Sequence, residues 1–512
     1  MKLLSTLLLS SVGTLCLAQS GVNWAIRYAS KIDTADLKKH LTVLASDEYE
    51  GRETGKNGQR MAAAYIENRF KELGCAMAPG MTGYQQYFDV VETTPGGSMA
   101  FGQAILNFRT DFIYMSAKSH VSFADVEMYT KDALLLKKDE KDYAIVHKLE
   151  GLGVREEVTN LKKNAPAGLK AIVLLVDDYE TIYEYLEHYT TNRSMRLADQ
   201  KIQAEIPVLI VRSSAISSQV PKSFSGLISA KKSKKLRKLT RVSYLGVDIN
   251  LNEQKLTSSN VLAYIEGSDP ILKNEVLVIT AHYDHIGIDN GVVFNGADDD
   301  GTGTVALLEL AEAYMDAKNS GHGPKRSVLI MTVSGEEKGL LGSSYYVSHP
   351  VIPLANTIAD LNIDMIGRYD IAHEPVLPKK EKVNITGGGT EHRELKPVEY
   401  HDYIYVIGSN MLSDDLHKAN EEANTRYTKL NLDYKFNSLT DPNQFYFRSD
   451  HYNFAKNGIP SIFYFSGVHE DYHQPTDDVE KINFQKTETV ARLVFYTGWE
   501  LLNAASRPVV NH

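Results

Sequence analysis

Residues 276–314 read VLVITAHYDHIGIDNGVVFNGADDDGTGTVALLELAEAY, and the fold is decided here. The stretch begins with an apolar, β-branched run, which predicts a strand buried on both faces. A His-x-Asp pattern, His282 and Asp284, follows at once, and three aspartates stand at 298–300 before a helical pattern over about 302–317. Three successive carboxylates repel one another unless a cation joins them. The stretch therefore predicts a strand, a loop and a helix, with a metal site at their junctions.

Three further apolar runs predict strands that end in polar clusters of the same kind. Strands that alternate with helices indicate an α/β fold, in which the carboxyl ends of the strands form one crevice. All four clusters are therefore expected to meet in space, although they are far apart in sequence. The further runs and their clusters are 327–333 with Glu336 and Glu337, 358–363 with Asp364, and 459–465 with His473.

The residue types at these strand ends suit a transition metal. Two histidines and several carboxylates favour zinc, with manganese and cobalt as alternatives. The carboxylates outnumber the ligands of a single zinc, and they fit two ions roughly 3.5–4 Å apart that share one carboxylate. Each motif alone has an ordinary explanation, such as a capping pair, a solvated helix start or a calcium loop. Their succession at strand ends favours a metal centre.

Composition and charge narrow the class of protein. The 512 residues suffice for two or three domains, and 43% hydrophobic with 23% charged residues is typical of a globular chain. A formal net charge of −10 argues against nucleic acid as the main partner. The basic run at 231–238 is expected to be a solvated loop or an edge strand, and binding to nucleic acid or to an anionic surface is the alternative.

The N-terminus predicts an export signal over residues 1–18. It has a basic start, a short apolar core and a small residue at its end, and cleavage is expected after Ala18. The apolar run is shorter than the ~20 residues of a spanning helix, so we expect no stable membrane insertion after cleavage and a periplasmic or extracellular location. Loss of Cys16 would leave Cys75 without an intrachain disulfide partner.

Between residues 95 and 247 the pattern of apolar and charged segments differs from that on either side. Short strand candidates are separated there by charged segments, and no cluster of metal ligands stands out. We expect residues 22–94 and 248–512 to form one catalytic domain, in which the first part supplies helices between 32 and 73 and a short strand at 84–91. Residues 95–247 are expected to form an inserted, β-rich α+β domain.

These motifs resemble the secreted co-catalytic di-zinc aminopeptidases, a family that also contains glutaminyl cyclases and the transferrin-receptor ectodomain. The resemblance covers about residues 32–91 and 257–505. It implies a zinc-exopeptidase fold, which is an α/β fold with a mostly parallel central sheet flanked by helices. Residues 95–247 are similar, much more loosely, to a protease-associated domain. The matching motifs lie at 281–284, 296–300, 335–337 and 362–365, and in the loop of His473.

The resemblance also implies a role for each motif. Two Zn²⁺ ions per chain would activate a shared water, a glutamate would be the general base, and a tyrosine hydroxyl would stabilise the oxyanion. The peptide bond after the bridging aspartate is implied to be cis, and Asp450 and His451 are expected to shape the site rather than bind metal. The implied ligands are His282 and Asp364 for one ion, Glu337 and His473 for the other, and Asp299 as the bridge. The implied catalytic residues are Glu336 as the base, Asp284 as the acceptor of the second ring N–H of His282, and Tyr446 as the oxyanion donor.

The implied function is an exported aminopeptidase that removes N-terminal residues from peptides. A glutaminyl cyclase-like or carboxypeptidase activity on the same scaffold is the first alternative. Two ions per chain and release of free amino acids would argue against the cyclase. A non-catalytic binding protein is the second alternative, and the presence of all five ligands together with Glu336 argues against it.

Overall fold

The structure is a computed structural model that describes residues 22–115, 120–130, 141–163, 165–190, 193–201, 205–218, 242–373, 381–385, 389–393 and 403–512. The predicted export signal and the basic run at 231–238 lie outside these residues. Within them, no helix combines the length and the apolar character that crossing a membrane requires.

Helices form where the sequence shows an amphipathic period, and several begin at a capping side chain. Asp33 accepts hydrogen bonds from two main-chain N–H groups at the start of α2, and Asn483 does the same at the start of α11. The two helices predicted between 32 and 73 are α2 and α3. The helices are α1 Trp24–Ala29, α2 Thr34–Leu44, α3 Asn57–Glu72, α4 Val154–Lys163, α5 Tyr179–Thr190, α6 Ser213–Ile216, α7 Gly303–Asn319, α8 Leu341–Ser348, α9 Asp414–Ala423, α10 His451–Ala455 and α11 Phe484–Asn503.

Strands occupy the β-branched and aromatic runs. They are β1 Gln85–Phe101, β2 Ala104–Asn107, β3 Phe112–Met115, β4 Val121–Thr130, β5 Tyr143–Lys148, β6 Leu169–Val176, β7 Ser194–Leu197, β8 Val208–Arg212, β9 Ser243–Ile265, β10 Val276–His282, β11 Gly287–Asp289, β12 Val292–Phe294, β13 Ser327–Val333, β14 Thr357–Ile363, β15 Glu381–Ile385, β16 Gly389–Arg393, β17 Tyr403–Ile407, β18 Asn431–Asp433 and β19 Ser461–Phe465.

The centre of the sheet is parallel. Its strands lie in the order β19-β14-β10-β13, and each neighbouring pair among them is parallel. Antiparallel strands flank this centre, with β9 beyond β13 and β17 beyond β19. Every residue of β10, β13 and β14 is buried, as strands covered on both faces require. The predicted α/β fold with a mostly parallel central sheet is confirmed.

Two apolar layers cover the central strands. Alternate residues of β10, such as Leu277 and Ile279, join a core with α1, α2, α3, α7 and α11. The intervening residues, such as Val278, face a second core that contains Tyr346 of α8 and Phe454 of α10. The N-terminal helices and the C-terminal helix thus pack on the same face of the sheet, which holds the site-bearing strand ends in place.

A long antiparallel ribbon of β1 and β9 leads away from this centre. The two strands pair from Gln85 with Val261 to Phe101 with Leu245. Beyond the ribbon, β4, β5, β6, β8 and β3 continue the sheet around apolar cores of their own. The expected domain boundaries, 94/95 and 247/248, fall inside β1 and β9. Separate catalytic and inserted domains stay a prediction, in which the ribbon would connect the two.

One buried ionisable pair lies among the helices, away from the strand ends. His40 Nε2 of α2 is 3.8 Å from Glu309 Oε1 of α7, and both side chains are buried. Burial lowers the pKa of His40 to about 4 and raises the pKa of Glu309 to about 8. The other charged groups that act on Glu309 are Glu312, Asp36 and Asp33, which raise its pKa further, and Arg69, which lowers it.

This pair links folding to pH. Between pH 4.5 and 6.5 the folded pair keeps one proton, on Glu309, and the unfolded pair also keeps one, on His40, so protonation does not change on unfolding. Between pH 6.5 and 8 the unfolded pair has lost its proton while folded Glu309 keeps one. Because the folded state binds more protons there, the free energy of unfolding falls as pH rises through that window.

Candidate metal centre

The parallel strands bring the predicted ligands to one edge of the sheet. His282 is the last residue of β10, and Asp364 follows the last residue of β14. Glu336 and Glu337 come shortly after β13 ends at Val333, and His473 lies on the loop after β19. Since β19, β14, β10 and β13 are neighbours and parallel, their carboxyl ends adjoin.

A first group of side chains surrounds the ring of His282. Its Nε2 lies 3.3 Å from Asp299 Oδ1, 3.6 Å from Asp364 Oδ1 and 3.9 Å from Glu336 Oε2. This nitrogen is buried, and it makes no hydrogen bond within the described residues. A buried imidazole nitrogen that faces carboxylates without a hydrogen bond is suited to bind a cation.

A second group lies on the other side of Asp299. His473 Nε2 is 3.1 Å from Asp299 Oδ2 and 3.2 Å from Glu337 Oε2. His285, which is outside the predicted ligand set, also belongs here: its Nδ1 is 2.8 Å from Glu337 Oε1 and 3.9 Å from Asp299 Oδ2. The ring of His285 packs on Gly296, where φ is +55° and any β-carbon would overlap the ring.

Asp299 faces both groups, with Oδ1 toward the first and Oδ2 toward the second. The bond between Asp299 and Asp300 is cis, as the resemblance implied. Both sides of Asp299 contain buried nitrogen or oxygen atoms that could bind a metal and that have no hydrogen-bond partner among the described residues. These atoms belong to His282, His285 and Glu337. The residue types and the shared carboxylate therefore fit two divalent ions.

Glu336 lines the same cavity as Asp299 and Asp364. Burial raises the pKa of the Glu336 carboxyl well above its ordinary value, and the carboxylates of Glu337 and Asp364 raise it further against the opposing effect of His282. A carboxylate in this setting holds a proton more firmly once it has taken one. The charge of a divalent ion bound beside this carboxylate would oppose the shift.

Asp284 contacts His282 in a different way from the one implied. The Nδ1 of His282 is 3.1 Å from the main-chain oxygen of Asp284, while the nearest carboxylate oxygen is 3.9 Å away. The carboxylate accepts instead from the hydroxyl of Thr54, at 2.6 Å, and from the main-chain N–H of Glu336, at 3.3 Å. Asp284 thus holds the ring through its carbonyl group and the Glu336 segment through its side chain.

Arg52 joins the two loops that carry the first ligands. It follows Gly51, which has φ of +62° and lies so close to β11 that a β-carbon there would overlap main-chain atoms. The buried guanidinium donates to four main-chain oxygens. They are Tyr283 O at 2.8 Å, Leu44 O at 2.8 Å, Asn295 O at 2.6 Å and Gly296 O at 2.8 Å.

Asp477 holds the same loop from the opposite side. Its carboxylate accepts from the main-chain N–H groups of Asp298, at 3.0 Å and 3.1 Å, and of Asp299, at 3.1 Å. Its main-chain oxygen accepts from the N–H of Ala297 at 3.0 Å. Arg52 binds main-chain carbonyl groups that precede Asp299 in the sequence. Asp477 binds the main-chain N–H groups of the residues that lead to Asp299 and of Asp299 itself, so the two side chains together position the shared carboxylate.

A cavity opens beside the two groups, and we call it the metal-centre cavity. Asp299, Glu336 and Asp364 form its acidic side. Arg448 and Tyr472 also line it. The remaining wall is apolar and consists of Met365, Phe445, Phe463, Phe465 and Val468.

Tyr472, rather than Tyr446, is the tyrosine that lines this cavity. The ring of Tyr472 stacks on the imidazole of His473 with centroids 3.8 Å apart. Tyr446 lies outside the lining, and its ring packs edge-on against Phe447 and His451. Tyr446 therefore contributes to the packing behind the cavity wall. The sequence feature that indicates Tyr472 is its position directly before the predicted ligand His473.

Asp450 and His451 lie behind the site and belong to neither group of ligands. Asp450 accepts a hydrogen bond from Ser343, and burial raises its pKa to about 7. The ring of His451 stacks on Phe463 with centroids 5.0 Å apart. Both residues thus support the cavity wall.

Known proteins resemble this chain in sequence over about half its length. A probable leucine aminopeptidase 2 of Aspergillus oryzae is 29% identical over 244 residues, which is 47% of this chain and 40% of that protein. Aminopeptidase YwaD of Bacillus subtilis is 26% identical over 260 residues, which is 49% of this chain and 46% of that protein. The chain thus spans less than half the length of either relative.

Solved structures share the fold over most of the chain. An aminopeptidase from Aneurinibacillus sp. strain AM-1 has a TM-score of 0.56 at 17% identity, over 95% of this chain and 98% of that one. A zinc aminopeptidase from Bacillus subtilis has a TM-score of 0.51 at 16% identity, over 93% of this chain and 97% of that one. Residues 260–498, which carry all the predicted ligands, match Peptidase family M28.

Proposed function

We propose that the protein is a metal-dependent aminopeptidase that hydrolyses the N-terminal residue from peptides. The observation that carries the proposal is Asp299, whose two oxygens face two groups of metal-ligating side chains at the edge of one cavity. The match of residues 260–498 to Peptidase family M28 supports a peptidase, and the relatives named aminopeptidases support this class of substrate.

Each group would hold one Zn²⁺ ion. His282 and Asp364 would bind the first, His473 and Glu337 the second, and Asp299 both. Two such ions lower the pKa of a shared water toward neutrality and polarise a carbonyl group. The support is the pair of short contacts on either side of Asp299 and the buried nitrogen of His282 that lacks a hydrogen bond.

Glu336 would act as the general base. Its carboxylate lines the same cavity as Asp299 and Asp364 and lies with Oε2 3.9 Å from His282 Nε2, so a water held at this site would be close to it. It would take the proton of that water as the scissile carbonyl is attacked, and then pass the proton to the leaving amine. The main-chain N–H of Glu336, bound to Asp284, keeps the carboxylate aimed at the cavity.

Tyr472 would stabilise the negative charge that develops on the carbonyl oxygen. Its ring is fixed on His473, and its hydroxyl oxygen accepts a hydrogen bond from Arg448 at 3.2 Å. That acceptance leaves the hydroxyl proton free to be donated into the cavity. The apolar wall, with Phe445, Phe463 and Phe465, would receive the side chain of the first substrate residue.

The site would act outside the cytoplasm, because residues 1–18 have the features of an export signal. We also propose that residues 95–247 are a protease-associated-like domain inserted into the catalytic domain. Support comes from the separate apolar cores beyond the β1–β9 ribbon. Limited proteolysis that releases a stable fragment of the inserted segment would support the division, whereas uniform degradation would contradict it.

A panel of aminoacyl p-nitroanilides tests the activity. Zinc-loaded protein should release p-nitroaniline, a strong chelator should abolish the release, and added zinc should restore it. The same substrates with a blocked N-terminus should be inert. Full activity after complete removal of metal would contradict the proposal. Cyclisation of N-terminal glutamine without release of free amino acids would favour the cyclase.

A further inference from the structure

Arg448 is the cation that the structure places in the lining of the metal-centre cavity. Three carboxylates, those of Asp299, Glu336 and Asp364, line the same cavity, but no ion pair within the described residues joins Arg448 to a carboxylate. An arginine in a folded protein ordinarily directs its donors to acceptors such as carboxylates or main-chain oxygens. Arg448 therefore offers a positive charge to an anionic group that enters the cavity.

The guanidinium is held in place although it is exposed. One N–H donates to the hydroxyl oxygen of Tyr472 at 3.2 Å, and the guanidinium carbon lies 5.0 Å from the ring centroid of Phe445. Both of these partners line the cavity. A guanidinium has five N–H donors, and the hydrogen bond to Tyr472 uses one of them, so donors remain for a planar acceptor.

We propose that Arg448 recognises a carboxylate of the peptide substrate, an inference that rests on the proposed aminopeptidase function. An anionic group that enters this cavity meets the carboxylate of Glu336, and Arg448 in the same lining offsets that repulsion. The planar fork of a guanidinium matches a carboxylate with two parallel hydrogen bonds. This makes Arg448 a specificity residue that contacts substrate.

Two parts of a peptide can supply this carboxylate. One is the side chain of an N-terminal aspartate or glutamate, whose aliphatic stem would pack on the apolar wall. The other is the C-terminal carboxylate of a dipeptide, which lies one residue beyond the scissile bond. The shared chemistry is the same in both cases, and the substrates chosen below separate them.

Steady-state kinetics of Arg448→Met with four substrates tests the inference. The substrates are glutamyl p-nitroanilide, leucyl p-nitroanilide, the dipeptide Leu-Ala and its C-terminal amide. Loss of the hydrogen bond to Tyr472 should lower kcat for all four substrates alike, so the inference concerns the additional loss for one of them. If the side chain supplies the carboxylate, the glutamyl substrate should lose about 10- to 100-fold more kcat/KM than the leucyl substrate, the range expected for a charged hydrogen bond. If the C-terminus supplies it, Leu-Ala should lose that much more than its amide. This additional loss should lie mainly in KM, and Arg448→Lys should recover part of it.

Arg426 offers a matched control. It is also exposed, and its guanidinium carbon lies 5.6 Å from the ring centroid of Tyr427, but it pairs with Glu500 and does not line the cavity. Arg426→Met should leave all four substrates unchanged.

Other outcomes would overturn the inference. An equal fall in kcat for all four substrates in Arg448→Met would mean that Arg448 serves only to orient Tyr472. No change for any substrate would mean that it is an ordinary surface residue. Wild-type protein that hydrolyses none of the four with zinc present would contradict the proposed function itself, and this inference with it.

Discussion

Replacement of Arg52 by lysine probes how the fold positions the metal ligands. Arg52 is 1% exposed and donates to four main-chain oxygens, three of them in the loops that carry His282 and Asp299. Lysine keeps the charge but offers its donors from a single nitrogen, so we expect it to restore one of these four hydrogen bonds. Each of the other three carbonyl groups, left buried without a donor, costs about 1–3 kcal/mol.

These three costs sum to about 3–9 kcal/mol. Relaxation of the loops lowers the total, and measured effects of single substitutions rarely exceed about 4–5 kcal/mol. We therefore expect Arg52→Lys to reduce the free energy of unfolding of the metal-free protein by about 3–5 kcal/mol. The loop that relaxes carries Asp299, so zinc affinity should also fall, by about 10- to 100-fold as for other residues that orient metal ligands.

Arg326 supplies the control for this experiment. It is also 1% exposed, and it donates to Glu275 and to the main-chain oxygens of Leu501 and Ala504, away from the metal centre. Arg326→Lys should lower stability comparably and leave zinc affinity unchanged. The measurements are denaturation in guanidinium chloride and competition for zinc with a chromogenic chelator. Equal zinc affinities in the two variants would refute a positioning role for Arg52.

Two further predictions concern the cavity and the buried ionisable pair. Tyr472→Phe should lower kcat by about 10²-fold or more, because it removes a donor to the developing oxyanion. Tyr446→Phe should leave kcat nearly unchanged. Steady-state kinetics on one substrate compares the two variants, and a larger loss in Tyr446→Phe would contradict the assignment. The free energy of unfolding should fall as pH rises from 6.5 to 8, because folded Glu309, with a pKa of about 8, still holds a proton that the unfolded pair with His40 has lost. Denaturation of Glu309→Gln over the same range should show a smaller fall, because other buried groups such as Asp450, with a pKa of about 7, also keep protons in the folded state. An unchanged slope would rule out Glu309 as a titrating group.

The central sheet could be predicted from the sequence because its signals are local. A buried run such as β10, followed by a loop and the helical period of α7, is complete within about forty residues of chain. The strand β1 was underestimated, since a strand was expected only over 84–91. It continues through Pro95, Gly96 and Gly97, which indicate a turn when read alone. Pairing with β9 along its whole length overrides that local preference.

The candidate ligands could be proposed because metal chemistry restricts the residue types. Arg52, Asp477 and His285 could not be selected in the same way. Arg52 and Asp477 act through main-chain atoms of loops far away in the sequence, and a sequence shows no partner for such hydrogen bonds. The His-x-Asp pattern pointed to His282 alone. His285 follows three residues later and faces Glu337. These three roles can be recognised only from the three-dimensional arrangement of the loops.

The zinc content of Glu336→Gln, measured together with its turnover, tests the two-ion centre most directly. Gln keeps the shape of the side chain and removes its basicity. If Asp299 joins two ions and Glu336 is the base, the variant should bind two zinc ions per chain and turn over about 10²–10⁴-fold more slowly, while Glu337→Gln should lose one ion. Loss of an ion from Glu336→Gln, with two ions retained in Glu337→Gln, would contradict the assignment.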